Sequence, residues 1–236
     1  MLPEKLMSLL RGARLGAQPG GGGGVSASSP SVLFGGKSAA AAPVVSERSS
    51  RGTEEFFKYI RDTSGLTLLD LGPATQANIN FITNLGNRIY TADFLQVLND
   101  AFGLDDIAEQ SNPGRIDYFL KQALDYPEGH FDGVLIWDVL EYLAPALLTA
   151  VVDRLHQIVR PKSYMLAFFH ADDKQQTVPY YTFRIQNLTT LQLAQHGQHR
   201  PTQLFNNRSL EKLFGKFDSV KFFLTKERLR EVIIKA

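Results

Sequence analysis

The chain contains no cysteine among its 236 residues. This excludes disulfides, thiolate nucleophiles and cysteine-ligated metal centres, and leaves the redox compartment unreadable from thiols. It also lacks any apolar run near the roughly 20 residues needed to span a bilayer, so the expectation is a protein that is soluble or at most peripheral. An excess of charge is missing too: 25 Lys and Arg stand against 24 Asp and Glu. There is no lysine or arginine stripe, and non-specific nucleic-acid binding depends on neutralising phosphates. No nucleic-acid partner is expected. The near-neutral total conceals an asymmetry, because Lys5, Arg11, Arg14, Lys37, Arg48 and Arg51 oppose only Glu4 and Glu47 at the amino-terminal end, and the remainder is mildly acidic.

The first 50 residues are poor in aromatics, Phe34 being the only one, and rich in serine, with glycine and alanine runs at Gly20 to Gly24 and Ala39 to Ala42. Such a composition buries too little apolar surface to offset chain entropy. Residues 1–52 are therefore read as a disordered tail, followed by one folded domain over 53–236. Leu2, Leu6, Leu9 and Leu10, with Lys5, Arg11 and Arg14, have the spacing of a short amphipathic helix for an anionic membrane or a protein partner. The alternative is a frayed terminus, since isolated helices of this length are marginal in water. Glu4 precedes the apolar patch and Arg11 interrupts it, leaving no proper apolar stretch for a secretory signal. A cytoplasmic location is expected.

The rest of the chain alternates in character. Thr53 to Ile60 has early acids and apolar residues at helical spacing. The unbroken run Leu66 to Leu71 reads as a buried parallel strand, Gly72 as a turn, and Gln76 to Leu85 as a helix that Gly86 ends. Arg88 to Asp93 is then a second strand closing on an acid. Strand, glycine turn, helix, strand and acid make up the nucleotide-binding half of a Rossmann-type sheet, with the second acid about 20 residues beyond the turn. Asp93 stands at that spacing from Gly72, its other reading being a solvent-facing or helix-capping acid. The third strand is not clear: Tyr118-Phe119-Leu120 and Ala123-Leu124 are both open to it, and a helix across Ile116 to Leu124 fits as well. Phe131 to Asp138 is a strong buried strand, Pro145 to Val159 a helix closed by Arg160-Pro161, and Tyr164 to His170 the next strand. Strands alternating with helices predict a doubly wound α/β sheet.

In their order these motifs resemble the class I S-adenosylmethionine-dependent methyltransferases, most closely the type 11 and ubiquinone-biosynthesis-like branch, over about Phe56 to Ala236. Leu68-Leu69-Asp70-Leu71-Gly72 is similar to the first motif and Asp93 to the ribose-binding acid. Asp125 to Asp132 followed by Asp138-Val139-Leu140-Glu141-Tyr142-Leu143 resembles the fourth-strand signature, and Leu155 to Pro161 the helix and turn before strand five. Asn207 to Phe214 resembles the last helix, and Val220 to Leu224 with Glu231 to Ile234 the closing antiparallel pair. The resemblance implies a Rossmann-like, mostly parallel seven-stranded sheet with a C-terminal antiparallel strand pair. It implies S-adenosylmethionine as cofactor and methyl transfer to a small-molecule acceptor. The cofactor-binding residues it implies are Asp70, Gly72, Ala74, Asp93, Phe94, Trp137 and Asp138, with Gln122 standing where the family's adenine-binding acid has no clear counterpart. The family writes its turn with three alternate glycines, whereas this chain has Gly72-Pro73-Ala74-Thr75-Gln76. Pro73 removes an N–H donor and Ala74 narrows the space. A catalytically inactive binding or regulatory module is therefore the rival reading.

A base for the acceptor would stand at the carboxyl ends of strands four and five, where Tyr142, Glu141 and His170 are the titratable candidates. Tyr142 and His170 are taken as the catalytic pair, the plainer reading of His170 being a strand-end histidine satisfied by backbone or water. Asp172-Asp173 with His170 match no metal motif, and no metal is expected. Residues 172–205 form a long insertion carrying Tyr180, Tyr181, Phe183, His196, His199 and Arg200. It is read as a lid that sets acceptor specificity, with partner contact and core filling as the alternatives.

Overall fold

The computed structural model describes residues 43–103, 107–171, 177–225 and 229–236. The leucine patch and the glycine and alanine runs lie outside these residues, as do Asp172 and Asp173. The first element, β1 (Val44–Ser49), falls within the stretch expected to be tail, so that boundary moves towards the amino terminus. The strand was hard to read because its side chains are mostly exposed. A backbone ladder along its whole length holds it instead, running antiparallel to β7 (Thr190–His199). Its far end is tied to the main sheet. Arg48 pairs with the buried Glu231 at 2.7 Å, and Glu231 also accepts from the Ser50 hydroxyl and from Gly52 N–H. A Cβ at Gly52 would sit 2.9 Å from that of Glu231, so glycine permits this contact. Ser50 then caps α1 (Arg51–Lys58) by accepting from Thr53 N–H.

The main sheet contains β2 (Thr67–Asp70), β3 (Arg88–Thr91), β4 (Phe131–Trp137), β5 (Val159–His170), β8 (Ser219–Leu224) and β9 (Leu229–Lys235). Their order is β3-β2-β4-β5-β9-β8, parallel from β3 to β5 and antiparallel from β5 through β9 to β8. The closing antiparallel pair is as expected. Among the described residues this sheet has six strands rather than seven, and the stretch open to a third strand is the helix α4 (Pro113–Ala123). Its buried residues Ile116, Phe119 and Ala123 recur at three- and four-residue spacing, which suits one helical face and cannot line one face of a strand.

Successive side chains along a strand point to opposite faces, and the core divides accordingly. Leu69, Val134, Met165 and Phe169 face α3 (Phe94–Phe102), α4, α5 (Pro145–Ile158) and α6 (Asn207–Leu213). Leu68, Leu135, Leu166 and Phe168 face α1, α2 (Gln76–Asn84) and the antiparallel hairpin of β6 (Val178–Asn187) and β7. The segment read as a lid is thus largely regular structure, a second sheet of order β1-β7-β6 whose Phe183, Ile185, Leu191 and Leu193 are buried against the main sheet. Among the described residues, no helix is long and apolar enough to cross a membrane.

Candidate functional site

The carboxyl edge of the parallel strands is where open α/β sheets bind ligands, and β2 delivers Asp70 there, fully buried. Its Oδ1 accepts from Gly72 N–H at 2.9 Å and from the Trp137 indole Nε1–H at 2.6 Å, and its Oδ2 accepts from the Asn78 amide at 2.9 Å. Burial raises the Asp70 pKa, against the pull of the Trp137, Asn78 and Gly72 donors. Thr75 caps α2 by accepting from Asn78 N–H, which fixes Asn78 on the helix's first turn. From there the Asn78 side chain also reaches β6, donating to Phe183 O at 3.2 Å and accepting from Ile185 N–H at 2.8 Å.

Trp137 ends β4 with φ of 57°, in the left-handed region that L-residues rarely occupy. Its indole lies directly against Gly72, where a Cβ would stand 3.1 Å from Trp137 Cδ1 and Nε1. The ring is stacked against Phe183, 5.0 Å away and 5° from parallel, and packs on Phe168 at 5.8 Å, the two phenylalanines being 5.1 Å from each other. The cleft beside it is lined by Gly72, Pro73, Asp93 and Asp138 and roofed by Tyr180 and Tyr181 of β6. Its cavity is about 10 Å³, room for roughly one water.

The sequence-derived residues divide at this point. Gly72, Asp93, Trp137 and Asp138 line the cleft above Asp70. Asp93 also caps α3, accepting from Gln96 N–H. Ala74 is exposed outside the lining, and Gln122 sits on the exposed face of α4, not in the cleft. Phe94 turns away into the helical core, edge-on to Phe119 at 5.1 Å, since its place at the start of α3 commits its ring to the helix's buried stripe.

Tyr142 and His170 belong to an adjoining buried cluster rather than to the cleft wall. Glu141, in the short turn after β4, accepts from His170 N–H at 2.7 Å through Oε1 and from His170 Nδ1–H at 2.6 Å through Oε2. Burial opposes a charge on His170, but the bonded Glu141 and the nearby Asp138 outweigh it and raise its pKa. Tyr142 stacks on His199 of β7 with centroids 4.0 Å apart, and its hydroxyl lies 3.1 Å from His199 Nδ1. Burial and the neighbouring Asp138 raise the Tyr142 pKa. The phenol therefore keeps its proton, and whether it donates to His199 Nδ1 or accepts from it follows from the His199 tautomer. Burial, and then the charge of His170, lower His199 to about 4. Asp138 is pushed up to about 7 by burial and then by Glu141. Three buried atoms in this cluster, Asp138 Oδ2, His170 Nε2 and His199 Nε2, have no hydrogen-bond partner among the described residues.

Asn78 is the residue that sequence reasoning missed; Phe183 and His199 were named only within the 172–205 segment read as a lid for the acceptor, without a place in the cleft or the buried cluster. The only local signal for Asn78 is a polar residue just after the glycine turn. For Phe183 and His199 the period-two burial of a hairpin was available, without anything to say which strands it would cover.

The sequence matches the methyltransferase domain family over residues 44–219, from the first residue of β1 to the first of β8. The chain belongs to that family, whose cofactor is S-adenosylmethionine. No curated protein matches the chain. Among solved structures, the chain is similar to the Burkholderia thailandensis 1,6-didemethyltoxoflavin-N1-methyltransferase bound to 1,6-didemethyltoxoflavin and S-adenosylhomocysteine. That match has 15% identity, covers 78% of this chain and 75% of the other, and has a TM-score of 0.44. A SAM-dependent methyltransferase from Archaeoglobus fulgidus gives 14% identity, 78% and 92% coverage and a TM-score of 0.45. The glycopeptide N-methyltransferase MtfA complexed with S-adenosyl-L-methionine gives 13%, 77% and 91%, and 0.42.

The residues present do not fit S-adenosylmethionine in this conformation. Ligand pockets of that size run to roughly 300–1,000 Å³, against a cavity of about 10 Å³. Trp137, with Phe183 stacked on it, occupies the space at Gly72, and both Asp70 oxygens are already bonded to the protein.

Proposed function

We propose that the chain carries out S-adenosylmethionine-dependent methyl transfer to a small-molecule acceptor, in the small-molecule branch that its motifs resemble, and that it does so in the cytoplasm without a nucleic-acid partner. The observation that carries this reading is the family match running from β1 to the start of β8, with Asp70, Gly72 and Asp93 at the carboxyl edge of the parallel strands. The acceptor enters beneath Tyr180 and Tyr181, next to the buried polar cluster. There the unpartnered Asp138 Oδ2, His170 Nε2 and His199 Nε2 supply hydrogen-bonding capacity that the protein itself leaves unused. Leaving such groups unmatched costs about 1–3 kcal/mol each, so a polar ligand that meets them gains affinity. Paired titratable groups whose environments push their pKa values apart are the usual division of labour between acid and base. His170, raised, is the cationic member, and His199, lowered to about 4, the neutral one; with its Nδ1–H donated to the Tyr142 oxygen, the Nε2 lone pair takes up an acceptor's proton. Tyr142 orients His199. Isothermal titration with S-adenosylmethionine and S-adenosylhomocysteine tests the assignment, and the absence of binding for both at millimolar concentration sinks it. Mass spectrometry of what copurifies with the protein narrows the acceptor.

The small cavity favours a second reading, a methyltransferase-fold module that binds or regulates without catalysis. Transfer of a labelled methyl group by the purified protein to any acceptor removes it.

A further inference from the structure

We infer that the β6–β7 hairpin is a gate over the methyl-donor site, with Phe183 holding the Trp137 indole in the space above Gly72, so that the donor enters only after the hairpin lifts. This deepens the methyltransferase reading and rests on it. Three features of the closed state carry it. The first is occupancy: Trp137 lies within 3.1 Å of a Cβ position on Gly72, at the one glycine of the turn, and its other surroundings are the stacked rings of Phe183 and Phe168.

The second is polar satisfaction. Asp70 is buried, yet it accepts from Gly72, Trp137 and Asn78, so the closed site is stable without a ligand. Polar groups left for a ligand would be unpaired at Asp70, as they are among the described residues at Asp138, which lines the same cleft, and at His170 and His199.

The third is the fastening. Asn78 holds Asp70 with the same amide that it offers to β6, through Phe183 O and Ile185 N. Lifting β6 therefore breaks the stack on Trp137 and loosens a partner of Asp70 in one movement. The hairpin stays attached when it moves, because β1 pairs with β7 from Val44 to Ser49 and Ser50 N–H donates to Thr189 O at 2.8 Å, next to the hairpin turn. Tyr180, Tyr181 and His199 ride on the same hairpin, so opening for the donor also displaces the roof of the acceptor side.

When only an open fraction of the protein binds, apparent affinity falls by that fraction. Weakening the gate must then tighten donor binding. Trp137 is the only tryptophan in the chain, so intrinsic fluorescence reports on the gate directly. The experiment uses the full chain and S-adenosylhomocysteine as probe, followed by calorimetry and by tryptophan emission and acrylamide quenching. It compares wild type with Phe183→Leu and, as a second variant against misfolding, Asn78→Ser, each checked by far-UV circular dichroism. The expected result is weak wild-type binding accompanied by a change in tryptophan emission, binding at least tenfold tighter in Phe183→Leu, and a more quenchable indole in that variant before ligand is added. Wild-type binding with unchanged emission overturns the gate and leaves the methyltransferase reading intact, as does equal affinity in wild type and folded variants. No binding by any of the three, with the indole freed in the variants, overturns the gate and the methyltransferase reading together.

Discussion

Two neighbouring halves of one sheet edge treat their polar groups in opposite ways. Around Asp70 every carboxylate oxygen is met by a protein donor and the aromatic stack of Phe183, Trp137 and Phe168 closes over it. Around Glu141 the anchoring bonds to His170 are as short, yet Asp138 Oδ2, His170 Nε2 and His199 Nε2 are left over. Both halves are buried, so solvent does not explain the contrast. A site whose polar groups are complete has no internal reason to take up a ligand, whereas unmatched buried groups carry a free-energy penalty that a ligand can relieve. On the proposed gate the first half stays shut until the hairpin lifts, and on the proposed function the second half receives the acceptor.

The largest test of this contrast is Glu141→Leu. It strands the raised His170 and its backbone N–H without acceptors, and removing one partner of a buried pair costs about 3–5 kcal/mol. Urea unfolding at pH 7 should show that loss, and Glu141→Gln should recover part of it.

Asp138→Asn comes next and has the opposite sign. The carboxyl titrates at about 7 in the folded chain against an ordinary value of 3.8. Its contribution to stability is intact below the unfolded value and is lost as pH rises through 7. The amide cannot ionise, so the variant should match wild type near pH 4 and exceed it by roughly 2–4 kcal/mol near pH 9, measured as unfolding midpoints across that range. A stability curve that stays parallel to wild type would mean Asp138 is better solvated than the closed cleft allows.

Trp137→Phe keeps an aromatic ring in the stack but deletes the donor at 2.6 Å from Asp70 Oδ1. The expected cost is about 1–3 kcal/mol in thermal or urea unfolding. A neutral result would show that the sealed half is less complete than its bonds suggest. Tyr142→Phe is the mildest change. It removes the hydroxyl facing His199 Nδ1 but keeps the stacked ring, so a loss of about 0.5–1.5 kcal/mol is expected. Nuclear magnetic resonance titration should find the His199 imidazole less fixed in its tautomer.

The places of Asp70, Gly72, Asp93, Trp137 and Asp138 at strand ends or in the turns beyond them are legible in the sequence, because strands announce themselves through runs such as Leu66 to Leu71 and Phe131 to Trp137. Gln122 and Phe94 were misplaced for a related reason. Only the resemblance implied them for the cofactor, and α4 stands where a third strand was open while the buried stripe of α3 claims the phenylalanine. The tail boundary was set too late because β1 shows no apolar pattern, its ladder to β7 being made of backbone.

Local pattern was sufficient for β2, β3, β4 and β5 with α1, α2 and α5, the glycine turn and the acids flanking it, since periodicity, caps and breakers act over a few residues. It could not show that the donor side is sealed. The groups that seal it meet across long separations: Trp137 reaches Asp70 from 67 residues away, and the Asn78 amide reaches Phe183 O across 105. Contacts of that range follow from which face of the sheet the hairpin covers. That choice is made by the packing of the whole fold, so the closed cleft and the paired histidines were decided only in the tertiary structure.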